Sequence, residues 1–239
     1  MKVIPAIDLV DGKCVRLTQG DFKKKKVYRE DPVAVAREFE DAGLEYLHLV
    51  DLDGAKKGKV VNWKVIIDIQ EKTALKVDFG GGVQTAEEVS QLLDLGIERI
   101  NIGTVAVTHP DRLQGWMQDY GPENFILSAD LKGDEVQING WQNAGVLTVY
   151  DLVAQFLPSG LQYLSCTDIH TDGTLAGPNF GLYKKLKKRF PELKITASGG
   201  VGSVDDLLQL QYIKLDAVVV GRALYEGKIK LLDLKPLTI

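Results

Sequence analysis

Four aspartates of this sequence stand where apolar runs end, and two of them have a spacing that suits acid–base chemistry. Asp8 and Asp130 each close an apolar run, and they lie 122 residues apart in a chain of 239. Two carboxylates that face a substrate from opposite sides can remove a proton at one atom and supply one at another. Asp51 and Asp168 follow apolar runs in the same way. The alternative for each of the four is a capping role, which aspartate often has after a strand.

Glycine-rich turns between predicted strands and helices form a second group with possible chemistry. The turn residues concerned are Gly81, Gly82, Gly103, Thr104, Gly199, Gly200, Gly221 and Arg222. Backbone amides at such turns can approach a phosphate, and the N-terminus of the following helix favours its negative charge. Tight turning or packing alone is the alternative. The turns predict a ligand with a phosphate at each end and its centre between the aspartates.

The elements that position these residues occur twice. Gly82 and Gly200 are 118 residues apart, and so are Gly103 and Gly221. The chain therefore reads as two related halves, about 1–120 and 121–239, and an internal repeat of this size decides the architecture. Eight apolar runs alternate with helical patterns, which predicts an α/β fold, a single (β/α)8 TIM barrel domain over 1–239. A doubly wound open sheet is the alternative.

The strand and helix patterns give boundaries for this barrel. The predicted strands are 2–8, 46–50, 75–79, 99–102, 125–129, 161–167, 194–198 and 217–220. Residues 13–18 are expected to form a short extended excursion, followed by a loop to residue 29. In a barrel of this kind the active groups lie at the carboxyl ends of the strands. Thr167 lies at such an end, and Asp172 follows it closely.

Composition excludes several classes of function. A net charge of −4 argues against general nucleic-acid binding, and no apolar run reaches the length of a membrane span. The two cysteines form no CxxC pair, which favours a reduced, cytoplasmic setting. The three histidines lie far apart in sequence, so we expect neither a metal site nor a cofactor. We expect a monomer with a small-molecule partner.

Motifs along essentially the whole chain resemble one enzyme family. The matching segments are residues 5–9, 11–13, 15–17, 50–55, 140–142, 167–169, 172–175, 177–179, 198–201 and 221–227. In combination they resemble the histidine-biosynthesis isomerase that acts on phosphoribosyl-formimino-aminoimidazole carboxamide ribotide. The resemblance implies an Amadori rearrangement, which turns an N-linked aminoaldose into an aminoketose on a bisphosphorylated substrate. It also adds Gly177 to the expected phosphate-binding residues.

The resemblance assigns roles to individual residues. The proton acceptor of the family falls on Asp8 and the proton donor on Asp130. Thr167 and Asp172 match positions beside the reacting sugar, and Asp172 is a rival for the role of the acid. Trp141 matches a mobile-loop tryptophan that stacks on the substrate. Neither a metal nor a redox cofactor is implied.

One departure and three alternatives accompany this resemblance. Gln84 stands where family members often carry arginine, which removes a charge near one expected phosphate. The sister cyclase subunit of imidazole glycerol phosphate synthase shares the half-barrel repeat, but it carries a cysteine where this chain has Ala6. A bifunctional isomerase that also acts on phosphoribosylanthranilate is the second alternative. A non-catalytic sugar-phosphate binding barrel is the third.

Overall fold

The structure, a computed structural model, describes residues 1–18, 21–138 and 143–234. Its strands are β1 (Lys2–Val10), β2 (Lys13–Thr18), β3 (Asp21–Arg29), β4 (Tyr46–Asp51), β5 (Lys76–Gly80), β6 (Arg99–Ile102), β7 (Phe125–Lys132), β8 (Glu135–Ile138), β9 (Asn143–Thr148), β10 (Tyr163–Asp168), β11 (Lys194–Ser198) and β12 (Ala217–Val220). Its helices are α1 (Pro32–Asp41), α2 (Leu52–Lys57), α3 (Trp63–Lys72), α4 (Ala86–Asp94), α5 (Thr104–Thr108), α6 (Pro110–Tyr120), α7 (Val149–Phe156), α8 (Phe180–Arg189), α9 (Val204–Tyr212), α10 (Arg222–Tyr225) and α11 (Leu231–Leu234).

Eight of these strands form a closed parallel sheet. The order around the ring is β1, β4, β5, β6, β7, β10, β11 and β12. The ring closes where β12 pairs with β1, with Lys2 opposite Ala217 and Pro5 opposite Val220. The (β/α)8 barrel expected from the sequence is therefore confirmed, and the open doubly wound sheet is wrong.

Two of the helices that cover the ring begin at capping boxes, which are visible in the sequence. Thr85 and Glu88 form a reciprocal capping box at the start of α4, and Ser203 and Asp206 form another at the start of α9. Each box satisfies backbone N–H groups that the first helical turn leaves without partners. Thr85 and Ser203 are 118 residues apart, so the two caps begin equivalent helices in the two halves.

One fully buried apolar layer runs from strand to strand around the ring. Ile7 on β1, Leu49 on β4, Phe79 on β5 and Ile100 on β6 are fully buried, and each stands opposite the next in the strand register. Because successive side chains of a strand point to opposite faces of the sheet, these four share one face. Because the strands are parallel, their carboxyl ends all lie at one rim.

Two antiparallel hairpins extend this rim, and the sequence did not predict them fully. Strands β2 and β3 continue from β1, and β8 and β9 continue from β7. The predicted loop up to residue 29 is wrong over β3, where four consecutive lysines hide the alternation that indicates a strand. The predicted end of β7 at residue 129 is three residues short, since Asp130 and Lys132 interrupt the apolar run but pair with β8.

A polar layer crosses the barrel below this rim. His48 Nδ1 lies 2.5 Å from Asp78 Oδ1, and Asn101 donates to the same oxygen. Ser128 in turn donates to Asn101 Oδ1 at 3.0 Å. Burial lowers the pKa of His48, but the charge and hydrogen bond of Asp78 outweigh burial, so the net pKa lies above its usual value.

The His48–Asp78 pair gives a testable pH dependence of stability. Because the folded-state pKa of His48 is raised, its contribution is complete below the unfolded pKa of about 6.5 and is lost as pH rises through the folded value. We expect His48→Gln to remove this part of the pH dependence of the free energy of unfolding, measured in denaturant from acid to alkaline pH. The exposed His109 supplies the control variant His109→Gln, and equal pH profiles for the two variants would contradict the assignment.

Candidate functional site

Asp8 and Asp130 lie at the carboxyl-end rim on opposite sides of the ring. Asp8 on β1 stands beside Val50 on β4 and Val15 on β2. Asp130 on β7 stands beside Thr167 on β10. Strands β1 and β7 are four places apart in the ring of eight, which is the largest separation that the ring allows. The two carboxylates therefore come from strands that face each other across the rim.

Arg16 is a site residue that chemical reasoning from the sequence missed. It lies on β2, where the first hairpin turns back over the rim. Its Nη1 donates to Asp8 Oδ2 at 2.8 Å and its Nη2 to Asp172 Oδ1 at 2.6 Å. A guanidinium that links two carboxylates fixes the position of both. The three side chains form the carboxylate–arginine cluster Asp8–Arg16–Asp172.

This cluster has little access to solvent, which shapes its electrostatics. The side chains of Arg16, Asp8 and Asp172 are 17%, 12% and 11% exposed. Burial raises the pKa of Asp172, Arg16 lowers it, and Asp8 raises it again, so that the net pKa is raised. Burial lowers the pKa of Arg16, but the two carboxylates raise it by more than burial lowers it, so the guanidinium stays charged. The one guanidinium therefore forms ion pairs with two carboxylates.

Asp51 and Asp168 bind backbone and asparagine side chains of their own loops. Asp51 accepts from the N–H groups of Gly54, Val61 and Asn62 and from the Asn62 side chain. Asp168 accepts from the N–H of His170 and from the Asn179 side chain. These contacts match the capping alternative for both aspartates.

The two asparagines that bind Asp51 and Asp168 carry a sequence signal of their own, because they repeat at the same interval as those aspartates. Asn62 and Asn179 are 117 residues apart, as are Asp51 and Asp168. Each asparagine precedes a helix, α3 or α8. The Asp–Asn pair thus fastens the loop after the second strand of each half.

The glycine pairs at the rim are required by backbone geometry. The φ angle lies between +86° and +106° at Gly81, Gly82, Gly199 and Gly200. Residues other than glycine rarely adopt this backbone region. A Cβ on Gly200 would stand 2.3 Å from the carbonyl oxygen of Gly177. The Gly177 N–H donates to the Gly200 carbonyl at 2.9 Å. The two loops therefore approach backbone to backbone.

This close approach predicts that Gly200→Ala destabilises the protein more than Gly227→Ala does. Gly227 also has a positive φ, +66°, but no atom lies within 4 Å of its Cβ position. Gly227→Ala should therefore cost only the left-handed strain of about 1–2 kcal/mol, whereas Gly200→Ala must also displace Gly177. Denaturant unfolding of the two variants measures the difference, and equal losses would show that the loops separate at no cost.

A second pair of turns has matched backbone conformation in the two halves. Gly103 precedes α5 with φ −107° and ψ −80°, and Gly221 precedes α10 with φ −110° and ψ −93°. Because the N-cap residue is glycine in both helices, it supplies no side-chain cap. The first-turn amides at Thr104 and Arg222 are thus available to an acceptor other than a capping side chain.

The cleft beside the second pair of glycine turns reaches the carboxylate–arginine cluster. Its lining includes Arg16, Asp172, Gly199, Gly200, Gly221 and Arg222. The guanidinium of Arg222 already bonds to Glu226 at 2.9 Å and to the Gly173 carbonyl. The structure thus brings phosphate-loop candidates of the second half next to a candidate acid.

Contacts with the first hairpin fix this arrangement. Tyr28 on β3 donates to Glu226 at 2.9 Å, and its ring lies 5.0 Å from that of Tyr225. The Tyr225 hydroxyl donates to the Ala6 carbonyl at 2.9 Å. The hairpin that carries Arg16 is therefore fastened to the segment after the last barrel strand.

Thr167 and Trp141 are the two other residues expected to lie beside the substrate. Thr167 lies between Asp130 and Ser198 in the register of neighbouring strands and is partly buried. Trp141 lies outside the described residues. Among the residues described, no group of three or more His, Cys, Asp or Glu side chains is arranged to hold a metal ion. Within the same part of the chain, no helix has the length and apolar content needed to span a bilayer.

The closed ring of eight parallel strands, with aspartates and paired glycine turns at one rim, defines a (β/α)8 barrel, and comparison with known proteins identifies its family. The family model described as histidine biosynthesis protein matches residues 2–230. Relatives from Cytophaga hutchinsonii, Phocaeicola vulgatus and Flavobacterium johnsoniae are 47%, 45% and 41% identical, each over 98% of both chains. All three are named 1-(5-phosphoribosyl)-5-((5-phosphoribosylamino)methylideneamino) imidazole-4-carboxamide isomerase. The chain belongs to the histidine biosynthesis protein family.

Proposed function

We propose that this chain catalyses the Amadori rearrangement of the bisphosphorylated aminoaldose of histidine biosynthesis to its aminoketose. The observation that carries the proposal is the placement of Asp8 and Asp130 at the ends of opposite strands, in a chain whose near-full-length relatives have the isomerase name. That name also favours the isomerase over the sister cyclase and over a non-catalytic binding barrel.

The reaction needs one acid and one base. Asp130, protonated, gives its proton to the furanose ring oxygen as the bond from C1′ to that oxygen breaks, and the lone pair of the amine nitrogen forms a C1′=N iminium. Asp8 then takes the proton from C2′; the electron pair of that bond forms C1′=C2′, and the C=N pair returns to nitrogen to give the enolamine. In the ketonisation the C2′ hydroxyl gives its proton to the Asp130 carboxylate while C1′ takes the proton held by Asp8, which yields the aminoketose and restores both aspartates. Positioned acid and base groups typically contribute 10²–10⁴-fold each.

Asp172 is the second candidate for the acid. Its net pKa is raised by burial, which favours the protonated form that an acid requires. However, Arg16 binds its Oδ1 at 2.6 Å and stabilises the charged form. We therefore assign Asp172 together with Arg16 to holding the base and the sugar. Thr167, which stands beside Asp130 in the strand register, is assigned to the sugar as well.

The two ends of the substrate are assigned to the glycine turns. The turns of the first half, Gly81-Gly82 and Gly103-Thr104, take one phosphate. Those of the second half, Gly199-Gly200 and Gly221-Arg222, take the other with Gly177. The positive φ values and uncapped amides support this assignment. Stacking by Trp141, the single domain over 1–239, the monomeric state and a cytoplasmic location stay predictions.

A turnover assay on the purified full chain tests the function. Two substrates are compared, the bisphosphorylated histidine-pathway aminoaldose and phosphoribosylanthranilate. Turnover of the first alone supports the proposal, and turnover of both identifies the bifunctional isomerase. No turnover of either, with binding retained, would leave only the non-catalytic barrel.

A further inference from the structure

A cavity of the barrel lies at the end opposite to the candidate site. It has a volume of about 230 Å³, and its rim is formed by residues that begin the barrel strands. These are Lys2, Tyr46, Lys76, Arg99, Tyr163 and Lys194. We call this region the amino-end mouth. Because the catalytic groups of such barrels lie at the other rim, the proposed reaction leaves this cavity without a role.

The cations of the amino-end mouth are grouped at two poles. At one pole, Lys2 Nζ lies 3.9 Å and Lys76 Nζ 5.2 Å from the ring centre of Tyr46. At the other, Arg99 Cζ lies 4.2 Å and Lys194 Nζ 4.9 Å from the ring centre of Tyr163. Strands β4 and β10, which carry the two tyrosines, are four places apart in the ring of eight. The two tyrosines therefore face each other across the mouth, and Arg99 reaches the ring of Tyr163 from β6, the strand next to the β5 that carries Lys76.

Each carboxylate of the lining already has a partner. Glu98 binds Arg99 Nη1 at 2.6 Å, and Asp78 binds His48 and Asn101. Asp216 binds Lys187 Nζ at 2.9 Å, and Lys187 does not line the cavity. The acids of the lining therefore neutralise little of the lysine charge at the two poles.

The lysines keep their charge available to a ligand. Within the described residues, the ammonium groups of Lys2 and Lys194 have no carboxylate partner at salt-bridge distance, and Lys76 has only the exposed Glu45 at 3.6 Å. Contact with an aromatic face orients a cation without cancelling its charge. The tyrosines thus hold three lysines, together with the Arg99 that is paired with Glu98, at the edge of a partly enclosed cavity, where attraction to an anion exceeds that in open water.

We propose that the amino-end mouth binds a small organic molecule that carries one acidic group at each of two ends. One acidic group lies between Lys2 and Lys76, and the other between Arg99 and Lys194. The cavity volume is below the range of about 300–1,000 Å³ typical of sites for drug-sized ligands, which limits the ligand to a compact one. The inference does not depend on the proposed reaction, since it uses none of the carboxyl-end residues.

Titration of the isotope-labelled full chain with succinate, followed by amide NMR signals, tests the proposal. Acetate is the one-pole comparison. We expect succinate to shift the amides around Lys76, Arg99 and Lys194 and to bind at least about tenfold more tightly than acetate, because its two carboxylates bind together. A separate titration with inorganic phosphate identifies the amide signals that respond to an anion at the glycine turns of the opposite rim. Equal binding of acetate and succinate would overturn the two-pole arrangement.

A matched pair of double variants separates a built site from general charge. Lys76→Gln with Lys194→Gln removes one cation from each pole and should weaken succinate binding by about tenfold or more, with kcat and KM unchanged. Lys184→Gln with Lys188→Gln removes the same charge from exposed positions on α8 and should leave succinate binding unchanged. Equal weakening in both variants, or no succinate shift in the parent protein, would overturn the proposal.

Discussion

Asp8→Asn is expected to lower kcat by about 10²–10⁴-fold with KM for the aminoaldose little changed, as is usual for loss of a general base. Asparagine keeps the shape of the side chain and can still bind Arg16 through its amide oxygen, so the cluster should survive. Asp130→Asn is expected to have an effect of the same size. Steady-state kinetics on both variants measure the change, and circular dichroism confirms that each variant is folded.

Asp172→Asn supplies the comparison that decides the acid. If Asp130 is the acid, Asp172→Asn should keep measurable turnover while Asp130→Asn loses it. Wild-type turnover in Asp130→Asn, together with loss in Asp172→Asn, moves the acid to Asp172. In that case the raised pKa of Asp172 is the property that the reaction uses.

Arg16→Met is expected to have the second largest effect, both on activity and on stability. The substitution leaves Asp8 and Asp172 without their shared cation, and removal of one partner from a buried ion pair typically costs about 3–5 kcal/mol. Misplacement of the base should lower kcat/KM by about 10²-fold. The control is Arg37→Met, because Arg37 is an exposed arginine on α1.

The pH profile of the Arg16→Met variant distinguishes an electrostatic role from a purely structural one. Arg16 lowers the pKa of Asp172, so removal of the guanidinium raises that pKa further. A step that needs the Asp172 carboxylate ionised then requires a higher pH, and the acidic limb of the kcat/KM profile should move upward. Arg16→Lys keeps the charge but not the two-armed geometry, so we expect a smaller movement. An unmoved limb in Arg16→Met would mean that Arg16 only holds the loop.

The barrel was predictable because its signals are local and repeated. The eight apolar runs and the capping box at Thr85 are short-range patterns that parallel strands and helix starts require. The interval of 118 residues between Gly82 and Gly200 shows that such patterns repeat in the two halves. The hairpins were less visible because their strands lie at the edge of the sheet, and four consecutive lysines in the β3 sequence leave no alternation of apolar and polar residues. Exposed edges commonly carry such charges.

The site was predictable only in part. Asp8 and Asp130 could be placed because the ends of barrel strands share one rim, but the link through Arg16 joins residues 156 positions apart in the chain. No local pattern indicates such a contact. The two-pole cavity was invisible for the same reason, because Tyr46 and Tyr163 acquire their cationic neighbours only when strands distant in sequence pair.

The fastening of the first hairpin has a consequence for the order in which a newly made chain matures. The Tyr225 hydroxyl binds the Ala6 carbonyl across 219 positions of sequence, and Tyr28 is held by Glu226. A nascent chain that lacks the segment after β12 therefore lacks these two contacts to the hairpin that carries Arg16. Catalytic competence on the ribosome should appear late and abruptly, once the final segments have emerged, although the early strands can already be paired.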